Sequence, residues 1–437
     1  MMTPCLSRAS CLSLLLLGVA SLFPVLAQAQ TAVSIDAELE QKVIDWRRDV
    51  HAHPELSNRE IRTAKLVDDH LRALGIETRT GVAKTGVVGV LKGAKPGPVV
   101  ALRADMDALP VTERVDLPFA SKVRATYLGK DVGVMHACGH DTHVAMLMGA
   151  AEELAKRRNE LAGTVVFLFQ PAEEGAPPGE VGGASIMVKE GALKNPDVDA
   201  VFGIHINSQT PVGVIGYRPR GTMAASDQLK IEVEGAQTHG AYPWGGVDPI
   251  VASAQIVLGL QTTVSRMAQL NKAAAVVTIG KIDAGVRGNI IPERATMIGT
   301  IRTLDTAMQT KLHADIERVA TSIAEAAGAK ATVTITRGNP VTYNDPELTA
   351  QMLPTLQRTA GPDQVLLRDA VTGAEDFSYY AREVPGLFVF LGGMPADQDP
   401  KEAAPHHTPD FFIDETGLKL GVETYVNLAL DYLSAAK

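Results

Sequence analysis

Four short runs of almost continuously apolar residues constrain the fold of this chain most strongly, because they alternate with stretches of helical periodicity. The runs cover residues 87–91, 99–102, 165–169 and 201–204. Around them, residues 35–74 and 142–156 carry apolar side chains at helical spacing. Strands that are apolar throughout are typical of a sheet that is covered on both faces. The pattern therefore predicts an α/β fold with a central mixed, mostly parallel sheet.

The middle of the chain follows a different order of elements. Strands are predicted at 228–233, 273–282, 294–303 and 330–336, and helices at 247–267 and 305–327. This β-α-β-β-α-β order is that of a ferredoxin-like unit. A strand at 386–391 and a helix at 414–436 then return to the first pattern. Since 437 residues exceed one comfortable core, we predict a discontinuous catalytic domain, 30–222 and 338–437, with an inserted ferredoxin-like domain at 223–337.

The first 29 residues have the features of an export signal. Arg8 precedes an apolar run at 12–23, and Ala27-Gln28-Ala29 fits the rule for cleavage between small residues. The alternative is a retained anchor, but the run is short for a membrane span. We therefore expect a periplasmic or secreted protein that has no membrane span in its mature form.

Residues 135–143 gather one thiol, three imidazoles and a carboxylate. Cys138 is the only cysteine after the predicted leader, so it cannot close an internal disulfide. A lone thiol with His140 two residues further on predicts a divalent-metal site made of soft and borderline ligands. The alternative is a buried cysteine that packs as a small apolar side chain.

Three further groups of ionisable residues accompany this stretch. They are Glu173-Glu174 after the strand at 165–169, His205 after the strand at 201–204, and His406-His407 near the C-terminus. Neighbouring carboxylates can divide their roles, one binding metal and the other moving protons. The alternatives are a solvated acidic turn and a structural histidine. Because ligands bind at the carboxyl ends of strands in open α/β sheets, we expect these groups to meet there.

Short segments spread in order over nearly the whole mature chain carry a family resemblance. They are RRDVHAHPEL (47–56), LRADMDALP (102–110), CGHD (138–141), QPAEEG (170–175), HG (239–240), NIIPE (289–293), GAEDF (373–377) and HTP (407–409). In these segments the chain resembles the dinuclear metallo-amidohydrolases, which include hippurate hydrolases, aminoacylases and plant indole-acetyl-amino-acid hydrolases.

The resemblance implies two divalent metal ions per subunit, with Zn, Mn, Co and Ni all suited to a mixed set of ligands. The implied ligands are Cys138, His140, Glu174, His205 and His407. His406 is a rival for the last position, but His407 precedes a Thr-Pro that resembles the family's His-Ser/Asn-Pro. Broader relatives have His-x-Asp where this chain has Asp105-Met106-Asp107, so these aspartates are interpreted as supports for a ligating histidine.

The resemblance also implies the residues that act on the substrate. Glu173 is the implied general base, and His239 of the inserted domain stabilises the tetrahedral oxyanion, often from the partner subunit. Asn289 is an implied contact to the substrate carbonyl or carboxylate. Arg302 is a further candidate for substrate binding, with an exposed charge at a strand end as the alternative. A homodimer built through the inserted domain is implied as well.

The implied reaction is hydrolysis of an N-acyl amino acid to a carboxylate and a free amino acid. Alternatives are a dipeptidase or carboxypeptidase on the same site, and a non-catalytic periplasmic protein that binds a metal or ligand. A thiol acylase with Cys138 as nucleophile and His140 as base is a further alternative, disfavoured because the two residues share one tight loop. The net charge of −9 argues against a nucleic-acid partner.

Overall fold

The computed structural model describes residues 31–435. The predicted leader, residues 1–29, lies outside the described residues, so its cleavage and the localisation stay predictions. Within residues 31–435, no helix combines the length and the apolar character that a membrane crossing requires.

The strands are β1 (Glu77–Val82), β2 (Gly86–Lys92), β3 (Lys95–Asp105), β4 (Arg124–Tyr127), β5 (Lys130–Gly133), β6 (Ala162–Gln170), β7 (Ala200–Pro211), β8 (Ile215–Tyr217), β9 (Arg220–Met223), β10 (Ala225–Glu234), β11 (Thr238–His239), β12 (Ala275–Ala284), β13 (Ile290–Ile291), β14 (Arg294–Thr303), β15 (Lys330–Arg337), β16 (Thr342–Asn344), β17 (Val365–Leu367) and β18 (Gly386–Met394). The α-helices are α1 (Ala37–Ala52), α2 (Ile61–Ala73), α3 (His140–Lys156), α4 (Gly183–Lys189), α5 (Pro249–Thr262), α6 (Thr306–Ala326), α7 (Pro346–Ala360), α8 (Ser378–Glu383) and α9 (Leu418–Ala435).

The main sheet is mixed, as predicted. Its strand order is β1-β2-β6-β3-β7-β18-β8-β17. The central strands β6, β3, β7 and β18 are parallel to one another, whereas β1, β2 and β8 form the antiparallel pairs of the two flanks. The carboxyl ends of the four parallel strands therefore meet at one edge of the sheet.

The apolar runs of the central strands are buried because helices cover both faces of the sheet. On β6, Val165, Phe167 and Phe169 pack in one apolar cluster with residues of α1, α3 and α9. Val166 and Leu168 pack in a second cluster with residues of α4 and α8. Successive side chains of a strand point to opposite faces, and burying each large one stabilises the fold by roughly 1.5–3 kcal/mol. The result is a firm support for the residues at the strand ends.

The middle of the chain forms a second, four-stranded antiparallel sheet. Its elements follow one another as β10, α5, β12, β14, α6 and β15, and the strand order is β12-β14-β10-β15. The sheet has its own apolar cluster, in which Leu229, Ile231 and Val233 of β10 meet Ile256 of α5 and Ile316 of α6. The predicted domain boundaries, and the role of this part as a lid or dimer contact, stay predictions.

Three predicted element boundaries were wrong. β7 continues to Pro211, so His205 lies inside the strand and not after it, because pairing with β18 extends the ladder beyond the apolar run. The helix predicted at 247–267 becomes a π-helical turn from Thr263. The last helix begins at Leu418, because Asp414 caps a separate 3-10 turn before it.

Candidate metal centre

The loop that leads into α3 holds Cys138 and His140 in one buried turn. Gly139 adopts a left-handed conformation, with φ of 85°, directly before the helix. A Cβ atom at this position would lie 2.3 Å from Cγ2 of Ile206, so only glycine fits. The turn therefore packs tightly against β7, the strand that carries His205.

Backbone carbonyls fix the ring orientation of His140 and His205. Nδ1 of His140 donates to the carbonyl of Asp107 at 2.8 Å, and Nδ1 of His205 donates to the carbonyl of Ile206 at 2.6 Å. Since a carbonyl only accepts, Nε2 of each neutral ring keeps its lone pair. Nε2 of His140 is buried without a hydrogen-bond partner, and Nε2 of His205 lies 3.6 Å from Sγ of Cys138. Both rings thus present the kind of nitrogen that binds metals.

Asp107 holds the loop that carries Glu173 and Glu174. The backbone N–H groups of these two residues donate to its carboxylate oxygens at 3.0 and 3.1 Å. The hydroxyl of Ser57 donates to the same carboxylate at 2.7 Å. Asp107 also orients His140 through its carbonyl. A single aspartate therefore orients side chains from two loops, in the supporting position that the sequence predicted for it.

The two adjacent histidines near the C-terminus face different atoms. Nε2 of His406 accepts a hydrogen bond from the N–H of Ser208 at 3.2 Å, so its Nδ1 carries the proton. That Nδ1 faces Sγ of Cys138 at 3.5 Å. Nε2 of His407 lies 3.0 Å from Oε1 of Glu174, which is buried without a hydrogen-bond partner. His407, and not its neighbour, thus brings its Nε2 against another candidate ligand.

The ligand atoms of five side chains converge at this edge of the sheet. Those of Cys138, His140 and His205 lie within 4.8 Å of one another, as do those of Cys138, Glu174 and His407. The sulfur is common to both sets. One sulfur, three imidazole nitrogens and a carboxylate form a donor set that suits borderline divalent cations. Contact with Cys138 and Glu174 raises the pKa of His407 to about 10, as expected where the potential favours a cation. The residues present therefore fit a pair of divalent metal ions.

Glu173 lies beside these donors in a different environment from Glu174. Its Oε2 is 3.9 Å from Nε2 of His140. Burial, together with the nearby carboxylates of Glu375 and Glu174, raises the pKa of Glu173 well above its ordinary value. A cation nearby favours the charged form of such a carboxyl group. The arrangement can therefore hold or release a proton next to the donor set.

Arg103 supports this part of the site, and sequence reasoning missed it. The fully buried guanidinium donates to Asp105 at 2.6 Å, to Glu375 at 2.8 Å and to Asp376 at 3.0 Å. A buried charge is costly unless it is paired. A single arginine at the end of a strand that is apolar from residue 99 to residue 102 was the signal that could have revealed the network.

A cavity of about 530 Å³ opens over the donor set. It is lined by Cys138, Glu173, Glu174, His205 and His407, and by Arg302, Asn207 and Asn339. Arg302 was predicted as a substrate contact, whereas the two asparagines were not. Asn207 could have been found, because it lies two residues after His205 and therefore on the same face of β7.

The structure does not bring His239 and Asn289 to this cavity of their own chain. Neither residue is among the described residues that line it. They lie together elsewhere, because β11 pairs with β13 and the N–H of Gly240 donates to the carbonyl of Asn289 at 2.8 Å. Both side chains are exposed.

Two other histidines, His143 and His51, have structural roles. His143 approaches Asp105 through Nδ1 at 2.5 Å and accepts the N–H of Ile206 at its Nε2 at 2.8 Å. His51 lies between Asp141 at 2.8 Å and Glu113 at 3.1 Å. With both nitrogens engaged, neither ring offers a lone pair to a metal ion.

Comparisons with known proteins agree with this geometry. The chain is 42% identical over 400 residues to thermostable carboxypeptidase 1 of Saccharolobus solfataricus. The alignment covers 90% of this chain and 96% of that protein. It is 37% identical to an IAA-amino acid hydrolase of Arabidopsis thaliana, with 97% and 94% of the two chains covered. The crystal structure of a dinuclear metal binding peptidase from family M20 of Bacillus subtilis superposes with a TM-score of 0.77. The two sequences are 36% identical, and the alignment covers 91% of this chain and 99% of the Bacillus subtilis chain.

The sequence profile of peptidase family M20/M25/M40 matches residues 101–431. This range contains the candidate ligands and the whole of the second, four-stranded sheet. The chain therefore belongs to peptidase family M20/M25/M40 and is a hydrolase that depends on divalent metal ions.

Proposed function

We propose that this protein hydrolyses the amide bond of N-acyl amino acids, releasing a carboxylate and a free amino acid. One observation carries the proposal: Glu173 and Glu174 are adjacent but face different partners. Oε1 of Glu174 lies 3.0 Å from Nε2 of His407, and both residues belong to the donor set. Glu173 lies beside the donor set and lines the cavity. A protein that only binds metal does not need a second carboxylate beside the donor set, whereas a hydrolase needs one for proton transfer.

The proposed metal ligands are Cys138, His140, Glu174, His205 and His407. Divalent cations held by these residues would polarise the substrate carbonyl and would lower the pKa of a bound water molecule towards about 7. The free Nε2 atoms of His140 and His205 support their assignment. The choice of His407 over His406 is supported by the N–H of Ser208, which occupies Nε2 of His406. Zn, Mn, Co and Ni all suit this donor set, and we propose no single one.

Glu173 is the proposed general base. It takes the proton from the attacking water and returns it to the leaving nitrogen, which requires a carboxylate that can move between two partners. Among the described residues, no side chain hydrogen-bonds to this carboxylate, whereas Asp107 holds the backbone N–H at 3.0 Å. The loop is thus fixed while the carboxylate stays available. Arg302 and Asn207 line the cavity, which supports a proposed role for both in binding the carboxylate of the amino acid.

A carboxypeptidase or dipeptidase is the second candidate, favoured by the 42% identity to thermostable carboxypeptidase 1. Both candidates need an amide next to a free carboxylate, and they differ only in the acyl or aminoacyl part. The thiol acylase is disfavoured because burial and the nearby carboxylate of Glu174 raise the pKa of the Cys138 thiol, whereas a nucleophilic cysteine needs a lowered pKa.

Protein loaded with Zn, Mn, Co or Ni in turn is expected to hydrolyse N-acyl amino acids faster than dipeptides. Activity is expected to disappear with EDTA and to return with metal, because the water needs a cation to reach a reactive state near neutral pH. Release of free amino acid measures both effects. Activity that survives EDTA but is lost to iodoacetamide would overturn the proposal in favour of a thiol enzyme. Tight binding without turnover would favour a binding protein.

We propose that the protein is a homodimer in which His239 and Asn289 act on the partner's centre. Their exposed position in a single chain supports this arrangement. So does the apolar surface around them, where Trp244 is 81% exposed and Val286 95% exposed. Large apolar side chains exposed together mark interaction surfaces.

A mixture of the His239→Ala and Glu173→Gln variants tests the proposed dimer. Alone, each variant is expected to lose at least about 100-fold in kcat. After subunit exchange, the mixture is expected to regain about a quarter of the wild-type activity, because half of the dimers then carry one complete site. Dimers that exchange subunits without any recovery would exclude a shared site. His313→Ala is the control and is expected to keep its activity without mixing, because His313 of α6 pairs with Asp227 of β10 within the same part of the chain.

We propose that residues 1–29 are an export leader and that the mature chain is periplasmic or secreted. Arg8, the apolar run at 12–23 and the small residues at Ala27 and Ala29 support the proposal. An exported chain that begins at Gln30 by N-terminal sequencing is the expected result, and an uncleaved chain would contradict it.

A further inference from the structure

A second cavity, of about 410 Å³, lies against the loop that carries Glu174. We name it the hairpin groove, after the β4–β5 hairpin that forms one wall. The other walls are the segment that follows α1, from Pro54 to Ser57, and the loop from Glu174 to Pro178. Glu174 lines both the groove and the cavity over the donor set. The two cavities therefore share one lining residue, and that residue is a proposed metal ligand.

The hairpin presents an apolar face to the groove. Val123, Ala125 and Tyr127 line it and are half-buried, whereas Arg124 between them is exposed and pairs with Asp131 at 2.6 Å. This alternation is that of a strand with one covered face. In the folded chain, however, the covered side borders an open groove and not a core.

The turn of the hairpin carries an unusual leucine. Leu128 has φ of 51° and Gly129 has φ of 75°, the two left-handed positions of a type I′ turn. Asparagine and glycine suit such positions, whereas a bulky side chain there is uncommon. Leu128 lines the groove and is 65% exposed. A disfavoured conformation that leaves an apolar side chain exposed gains nothing within the chain itself, and it points to contact with an apolar ligand.

The charges around the groove are already paired. The carboxylate of Glu55 accepts the backbone N–H groups of Arg62 and Thr63, both at 2.9 Å. The guanidinium of Arg59 donates to Glu180 at 2.6 Å. Among the described residues that line the groove, no cation is therefore free for a charged substituent, and Glu174 adds a negative charge.

We propose that the hairpin groove is the acyl subsite and that it selects N-acyl amino acids with a long apolar acyl group. This inference rests on the proposed function. A substrate extends in two directions from its amide. Its carboxylate fits the cavity with Arg302 and Asn207, and its apolar end fits the groove on the other side of Glu174. A volume of about 410 Å³ is in the range of sites that enclose small organic ligands.

The experiment compares N-octanoylglycine with N-acetylglycine on wild-type protein and on two variants of one strand. Each methylene buried in the groove is expected to raise kcat/KM by up to about fourfold, so wild type prefers the octanoyl substrate at least about tenfold. Ala125→Phe fills the groove and is expected to abolish this preference, measured as the ratio of kcat/KM for the two substrates. Arg124→Phe puts the same side chain on the opposite face and is expected to keep the preference.

The outcomes separate failure of this inference from failure of the proposed function. If N-acetylglycine is cleaved but chain length has no effect, or if both phenylalanine variants act alike, the groove is not the acyl subsite. If no N-acyl amino acid is cleaved by metal-loaded protein, the proposed function fails. Binding by calorimetry to the Glu173→Gln variant then still tests the groove, because the expected tenfold tighter binding of N-octanoylglycine needs no turnover. Equal binding of both compounds would overturn the inference.

Discussion

We expect the Glu173→Gln variant to retain two bound metal ions per chain and to lose about 10²- to 10⁴-fold in kcat, the contribution typical of a general base. Glutamine keeps the size of the side chain but cannot accept a proton. The backbone N–H of residue 173 still donates to Asp107, so the loop keeps its position. Metal content by elemental analysis and initial rates with an N-acyl amino acid are the two measurements.

The neighbouring Glu174→Gln variant is the matched control. Oε1 of Glu174 is buried beside Nε2 of His407 at 3.0 Å, within the proposed donor set, so this variant is expected to lose metal as well as activity. The contrast between adjacent positions separates proton transfer from metal binding. A Glu173→Gln protein that keeps most of its kcat, or one that loses its metal, would show that the general base has been assigned wrongly.

The second large effect is expected from His407→Asn, which should lower the affinity for one of the two metal ions by more than about 100-fold. Removal of a ligand leaves Glu174 and Cys138 as the remaining donors of that set. Activity should fall with the lost ion and return in part at high metal concentration. Calorimetric titration of metal-free protein with Zn or Co measures the number of ions bound and their affinities.

Two other histidines serve as controls for this variant. The side chain of His53 is 52% exposed, nearly as much as the 53% of His407, but it bonds to the carbonyl of Asp49 outside the site. His53→Asn is therefore expected to bind two ions normally. His406→Asn is expected to do so too, because Nε2 of His406 is already occupied by the N–H of Ser208. Loss of an ion in His406→Asn but not in His407→Asn would reverse the assignment.

Most of the main sheet was predictable from the sequence, because its central strands are buried on both faces and leave continuous apolar runs. β6 is an example, since all residues from Val165 to Phe169 enter one of two apolar clusters. The β4–β5 hairpin was not predicted, because only one of its faces is covered and its residues are largely polar. The length of β7 was also missed, because residues 207–210 are polar and the strand continues there through its pairing with β18.

The sequence by itself determined which residue types are available and roughly where each lies along a strand or loop. It therefore identified the donor residues and the adjacent carboxylates. Only the tertiary structure decided which atom of each residue is free, because hydrogen bonds to distant backbone groups set this. The N–H of Ser208 engages a ring 198 residues away, and Asp107 orients a loop 66 residues further along the chain. Such contacts leave no trace in local periodicity, because they form only after the parallel strands have brought their carboxyl ends together.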